Sequence, residues 1–241
     1  MPRANRTFCK GYIWHVTHRC HQRSFLLKFS RDRKRWRHWL FEARRRFGLS
    51  VLNYIATSNH IHLLIWDRGN SEISSSMQLV ASRTAQEFNR RKKRQGAFWE
   101  DRYHATAVQS GDHLARCMTY IDLNMVRAGV VTSPSEWDVS GYSEIQKPWL
   151  RKALIDYPVL CDLLGEMSTR NLAIRLRDAA NDSAQCSIRR KCWTQALGVG
   201  DEAFLDELKM ALGPKGRHRR TIDVGESHCL REAYTPYLRF S

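Results

Sequence analysis

Two apolar, β-branched runs, Val51 to Thr57 and His60 to Trp66, are separated by Ser58-Asn59 alone, and this spacing constrains the fold more than any other feature. A two-residue turn between strand-like runs closes a hairpin, so the two strands pair antiparallel. Side chains on a strand alternate between faces, so His60 and His62 project to one side while Ile61 and Leu63 point into a core. The hairpin thus carries two imidazoles near the start of its second strand, where both could bind one ion.

The neighbouring segments supply more of a mixed fold. Gly11 to His18 is rich in aromatic and β-branched residues and reads as a first strand. In Arg31 to Gly48, Trp36, Trp39/Leu40, Ala43 and Phe47 recur at helical spacing, the other face is strongly basic, and Gly48 is a fitting stop. A second helix is expected from about Ser74 to Lys93, with Met77, Val80, Thr84 and Phe88 on one face and cations in its last turn. Ala97 to Val108 reads as one more strand or strand pair. Asp112 can then cap a helix with a buried stripe of Leu114, Met118, Ile121 and Met125, ending before Gly129. The expected fold is α+β: an antiparallel sheet with helices packed on it over residues 1–148. Residues 149–241 are expected to form a helical accessory region, with a helix over 201–212 stopped by Gly213-Pro214 and a loosely ordered basic tail.

Tyr120 and Asn124, at i and i+4, share a face of that third helix beside its buried stripe, which suits a cleft better than the core. A hard divalent cation held by two imidazoles and an amide oxygen keeps open positions for a phosphate oxygen, unlike a closed structural zinc site. With a tyrosine beside it, the chemistry implied is phosphoryl transfer. The cluster His15, His18, Cys20 and His21 does not read as a zinc site, because strand alternation turns His15 and His21 away from His18 and Cys20.

A formal charge of +16, from 40 Lys+Arg against 24 Asp+Glu, points to a polyanion as partner, and its clustering among aromatic residues favours nucleic acid. Seven cysteines, odd in number and without a C-x-x-C pair, read as reduced thiols of a cytoplasmic protein. No run approaches the ~18 apolar residues of a membrane span, and no membrane partner is expected.

Four blocks carry a resemblance: Gly11-Tyr12-Ile13-Trp14-His15-Val16-Thr17, Ser58-Asn59-His60-Ile61-His62-Leu63-Leu64-Ile65, Phe98-Trp99-Glu100-Asp101-Arg102-Tyr103, and Tyr120-Ile121-Asp122-Leu123-Asn124-Met125-Val126-Arg127-Ala128-Gly129-Val130. Their order and spacing resemble the IS200-like single-tyrosine (Y1) transposases of the HUH superfamily, particularly the REP-associated tyrosine transposases, over residues 1 to about 145. The resemblance implies a five-element α+β domain with the paired histidines on a central strand and the tyrosine on a facing helix. It makes His60 and His62 metal ligands, Tyr120 the nucleophile, and Asn124 the third ligand, where many insertion-sequence relatives have Gln. The implied cofactor is Mg²⁺ or Mn²⁺, and the implied reaction is nicking and rejoining of single-stranded or hairpin DNA through a 5′-phosphotyrosine. Phenols ionise only near pH ~10, so such a nucleophile needs help in losing its proton.

Positions for phosphate contacts are Arg19, Arg83, Arg90, Arg91 and Lys92, with Arg3 and Arg6 as an arm. The resemblance fits a nucleoid-associated protein acting as a monomer or homodimer. Two other readings share the residues: a non-catalytic binder of DNA or RNA hairpins, and a hydrolytic metallonuclease in which Tyr120 only packs.

Overall fold

The computed structural model describes residues 8–148, 153–183, 191–217, 219–225 and 227–232; Arg3, Arg6, Cys186 and the end of the basic tail lie outside them. The chain runs β1 (Ile13–Arg19), α1 (Ser30–Phe47), β2 (Ser50–Ala56), β3 (His60–Trp66), α2 (Glu72–Lys92), β4 (His104–Val108), α3 (Asp112–Asp122), α4 (Asn124–Arg127), α5 (Gly141–Gln146), α6 (Tyr157–Leu164), α7 (Thr169–Ser183), α8 (Cys192–Gln195), β5 (Gly198–Gly200), α9 (Glu202–Leu212), α10 (Pro214–Arg217), β6 (Arg219–Asp223) and β7 (His228–Glu232). The fold is α+β, as the hairpin requires.

The strands form one sheet in the order β2-β3-β1-β4-β5-β7-β6, antiparallel except for the β4–β5 pair. Directly opposed residues share a face, so Thr17 opposite His62 and His15 opposite Leu64 put His15, Thr17, His62 and Leu64 on one side. On that side Asn53 Nδ2 donates to Asp122 of α3 at 2.9 Å. The opposite side carries Tyr54, whose ring meets Trp36 of α1 at 6.2 Å. The sheet is thus covered by α1 on one face and by α3 on the other.

In α1 the expected stripe holds for Trp36, Leu40 and Ala43, and Gly48 closes the helix in the left-handed region at φ 71°. Phe47 departs from it, being 40% exposed, so the buried stripe ends at Ala43. The strand expected over 97–108 is confined to its second half. Phe98 packs on Phe88 at 5.0 Å and the adjacent Trp99 stacks on His18 at 4.1 Å. Holding two consecutive rings this way replaces regular strand pairing, apart from one bridge from Trp99 to Cys20.

Beyond residue 148 the expected helices are present, but the segment also contributes three strands that continue the same sheet. β5 pairs parallel to β4 through Ala107–Gly198 and Val108–Val199. Arg219 and Arg220, placed in a loose tail by the sequence, lie in β6. The other sheet edge is covered too: Ala56 N–H donates to Val139 C=O at 3.1 Å and Asp156 N–H to Val51 C=O at 2.8 Å. Gly141 lets α5 approach that edge, since a Cβ there would lie 2.1 Å from Asn53 Oδ1. Among the described residues no helix is long and apolar enough to cross a membrane.

Candidate active site

His60, His62, Tyr120 and Asn124 converge within one chain. His60 and His62 leave β3 on the same side with ring centroids 4.9 Å apart, and Tyr120 stands edge-on to His62 at 5.8 Å. Asn124 Nδ2 lies 3.0 Å from His62 Nε2. The helix expected to carry Tyr120 and Asn124 without interruption breaks at Leu123 (φ −81°, ψ 6°), which divides α3 from α4. The Tyr120 carbonyl accepts a hydrogen bond from the Arg127 guanidinium at this break. The interruption lets Asn124 begin a new turn directly over His62.

Tyr120 is also less open than its helix position suggests, being 6% exposed. The reason lies in the C-terminal segment: Trp193 of α8 packs 6.4 Å from the Tyr120 ring, and the Arg127 guanidinium sits 4.6 Å above its centroid. Neither residue was given a role from the sequence. Arg127 stood inside the Tyr120 block, whereas nothing local marks Trp193. His15 was likewise missed: it is fully buried, its Nε2 lies 2.8 Å from His62 Nδ1, and its Nδ1 donates to the Trp193 carbonyl at 2.8 Å. Only the β1–β3 register brings it there.

No group of three or more His, Cys, Asp or Glu side chains among the described residues is placed to hold a metal ion. A divalent cation would instead depend on two imidazoles and one amide. These residues fit it. Donor atoms at right angles on an octahedral ion with ~2.1 Å bonds lie ~3.0 Å apart, the separation seen between the Asn124 amide and His62 Nε2. A half-turn of that amide puts Oδ1, the ligating atom, in place of Nδ2. A cleft of about 410 Å³ opens beside His60, lined by Phe25, Asn59, His60, Asn124, Arg127 and Val130 among others. Phe25 and Val130 are exposed at 66% and 55% and form an apolar rim.

The basic residues named from the sequence fall into three groups. Arg19 and Arg90 are exposed, with Arg19 directly opposite His60 in the sheet. Arg83 lies over the Trp39 ring at 5.6 Å and Lys92 over Phe29 at 5.4 Å. Arg91 is engaged in an ion pair with the buried Asp32, which ties α2 to α1.

Two buried titratable groups flank the site with opposite effects. Burial, the largest cause, pushes Asp122 up to about 7 from 3.8, against the hydrogen bond from Asn53 and the charge of Arg127. Burial likewise pushes His15 down to about 4 from 6.5. The folded state holds the Asp122 proton after the unfolded chain has released it, so this group's stabilisation is lost as pH rises from 3.8 toward 7. His15 behaves inversely: the unfolded chain takes up a proton that the fold refuses, so stability is lost as pH falls from 6.5 toward 4. Each slope is about 1.4 kcal/mol per pH unit, and between pH ~4 and ~6.5 the two cancel. Asp122→Asn removes one of them while keeping an acceptor for Asn53. The variant is expected to lose about 2–3 kcal/mol more than the wild type between pH ~6.5 and ~4.5, read by urea denaturation at both pH values. Equal losses in the two proteins would show that Asp122 is ionised in the fold.

The sheet thus presents His60 and His62 to Tyr120 and Asn124 on the helices that cover it. Residues 9–124 match the family described as "Transposase IS200 like". Among solved structures it is similar to a REP-associated tyrosine transposase bound to a REP hairpin, with 20% identity, a TM-score of 0.50, and coverage of 62% of this chain and 88% of that one. It also matches a protein of Deinococcus radiodurans described as a candidate transposase, with 14% identity, a TM-score of 0.35, and coverage of 50% and 95%. No curated protein matches the chain.

Proposed function

We propose that the protein is a metal-dependent DNA strand transferase that nicks and rejoins single-stranded DNA at REP-like hairpins through a 5′-phosphotyrosine. The observation that carries this reading is the meeting of the Tyr120 ring with His60, His62 and Asn124 inside one chain. A Mg²⁺ or Mn²⁺ ion held by the two imidazoles and the amide oxygen would polarise the scissile phosphate. Tyr120 Oη bonds to the phosphorus as the bond to the 3′ oxygen breaks; the phenolic proton is lost and the 3′ oxygen leaves as a hydroxyl. In the return step a 3′-hydroxyl attacks the phosphotyrosine, the P–Oη bond breaks and the phenol re-forms, so no ATP is consumed.

Arg127, lining the cleft and lying over the Tyr120 ring, is suited to pair with a phosphate oxygen. Phe25 and Val130 at the rim suit an unstacked base, while Arg19, Arg83, Arg90 and Lys92 follow the backbone and Arg3 and Arg6 act as an arm. All four site residues come from one chain, an arrangement that serves a monomer or either half of a homodimer. The hairpin is proposed as substrate because the similar REP-associated transposase is bound to one.

The test is an SDS-stable protein–DNA adduct formed on labelled hairpin oligonucleotides with Mn²⁺. Adduct is expected with metal, and EDTA is expected to reduce it below detection. Cleavage without adduct would replace this reading with hydrolysis. Tight binding without cleavage across a panel of hairpins would replace it with a binding protein.

A further inference from the structure

We infer that His15 and Asn59 are positioning residues that lock both HUH histidines in the tautomer presenting a lone pair at Nε2, and that the C-terminal segment sets one of those locks. The inference rests on the metal-site reading of His60 and His62 for its purpose, but its geometry stands independently. A neutral imidazole carries one N–H and one lone pair, and a partner that can only accept decides which nitrogen holds the proton.

For His62 the deciding partner lies two steps away. The backbone carbonyl of Trp193 can only accept, so His15 Nδ1 carries the proton across the 2.8 Å contact. His15 is 0% exposed, and an unpaired imidazolium so deeply buried is strongly disfavoured, so its Nε2 bears a lone pair. Across the next contact, also 2.8 Å, His62 Nδ1 must therefore donate. His62 Nε2 is left as an acceptor, and it is the atom that meets the Asn124 amide at 3.0 Å.

For His60 the deciding partners are local. Asn59 Nδ2 donates to the Arg23 carbonyl at 3.1 Å, which fixes the orientation of that amide and turns Oδ1 toward His60 Nδ1 at 2.7 Å. Thr57 Oγ1 gives its proton to the His60 carbonyl at 2.8 Å, so it too can only accept from His60 Nδ1 at 2.9 Å. Both acceptors require Nδ1–H and leave Nε2 with its lone pair. Two separate relays, each ending on a backbone carbonyl, thus prepare two equivalent donor atoms. Partners that orient metal-bound imidazoles in this way are typically worth 10–100-fold in metal affinity.

The test uses full-length protein labelled with ¹⁵N-histidine and long-range ¹H–¹⁵N correlation spectra near neutral pH without metal. His60 and His62 are both expected as Nδ1–H tautomers, and His15→Phe is expected to release His62 from that state. Mn²⁺ affinity, read by electron paramagnetic resonance, is expected to fall about 10–100-fold in His15→Phe and to recover in His15→Gln, which retains an acceptor. Asn59→Leu is expected to act on His60 in the same way. His62 or His60 found as the Nε2–H tautomer in the wild type, or a tautomer unmoved in a folded His15→Phe, would overturn the inference. A wild type with the expected tautomers that bound no Mn²⁺ would overturn the metal reading and leave the tautomer locks standing.

Discussion

Tyr120→Phe is expected to abolish the covalent protein–DNA adduct and to lower strand cleavage by at least ~10³-fold, while hairpin binding stays within about twofold. The substitution removes one oxygen and little else. The ring keeps its packing against His15, His62, Trp193 and Arg127 at 6.2, 5.8, 6.4 and 4.6 Å. The Arg127 contact at the Tyr120 backbone carbonyl is indifferent to the side chain. Since the Oη atom is not among the hydrogen-bonded groups of the described residues, stability should change by no more than ~0.5 kcal/mol. Activity and fold are therefore separable at this position. The check is a gel assay for adduct beside a binding titration and a melting curve on the same preparation; an adduct that survives the change would assign the nucleophile elsewhere.

The second large effect concerns the fold. Glu144→Ala is expected to destabilise the protein by about 3–5 kcal/mol, because it removes a buried carboxylate hub from its donors. Glu144 is 1% exposed. Its Oε1 accepts from the Leu154 and Ile155 backbone N–H groups at 2.6 and 2.8 Å, and its Oε2 from the Tyr54 hydroxyl at 3.0 Å and Arg37 at 3.4 Å. One side chain thus joins α5, α1, β2 and the segment that covers the β2 edge. Removing it leaves two backbone donors and a phenol without their acceptor in a buried site, while Arg37 keeps the Tyr54 hydroxyl as acceptor at 2.9 Å. Chemical denaturation of the variant checks this, and a loss under ~1 kcal/mol would mean that water or a shifted neighbour replaces the carboxylate.

What could be read from the sequence follows the range of the interactions involved. The hairpin and the common face of His60 and His62 were legible because a two-residue turn and a period of two are local properties. Trp36, Leu40 and Ala43 were legible for the same reason at helical period, and the order and spacing of the four blocks carry the family resemblance. The break at Leu123 was not, because leucine is a good helix former and the interruption coincides with a side-chain hydrogen bond from Arg127 to the Tyr120 carbonyl that no hydrophobic period encodes. His15 was visible as a strand residue, but its contact with His62 spans 47 positions and depends on a register no local pattern encodes. The strands β5 to β7 are three to five residues long, too short for periodicity to declare, and Gly198-Val199-Gly200 becomes a strand only because β4 and β7 lie on either side.

The parallel pairing of β4 with β5 bears on where the chain can be cut. Residues 9–124 carry the family match and all four site residues, so a fragment ending near 148 looks like a self-sufficient catalytic module. Severing it there would strip β5 from β4 and leave the N–H groups of Ala107 and Gln109, which donate to the Leu197 and Val199 carbonyls, open to any passing strand, an invitation to intermolecular pairing. The same cut would take away the Trp193 carbonyl on which His15 rests. The chain beyond the family domain is therefore a retaining wall rather than an appendage, and a shortened version would be undone at its new edge and in its active site by a single incision.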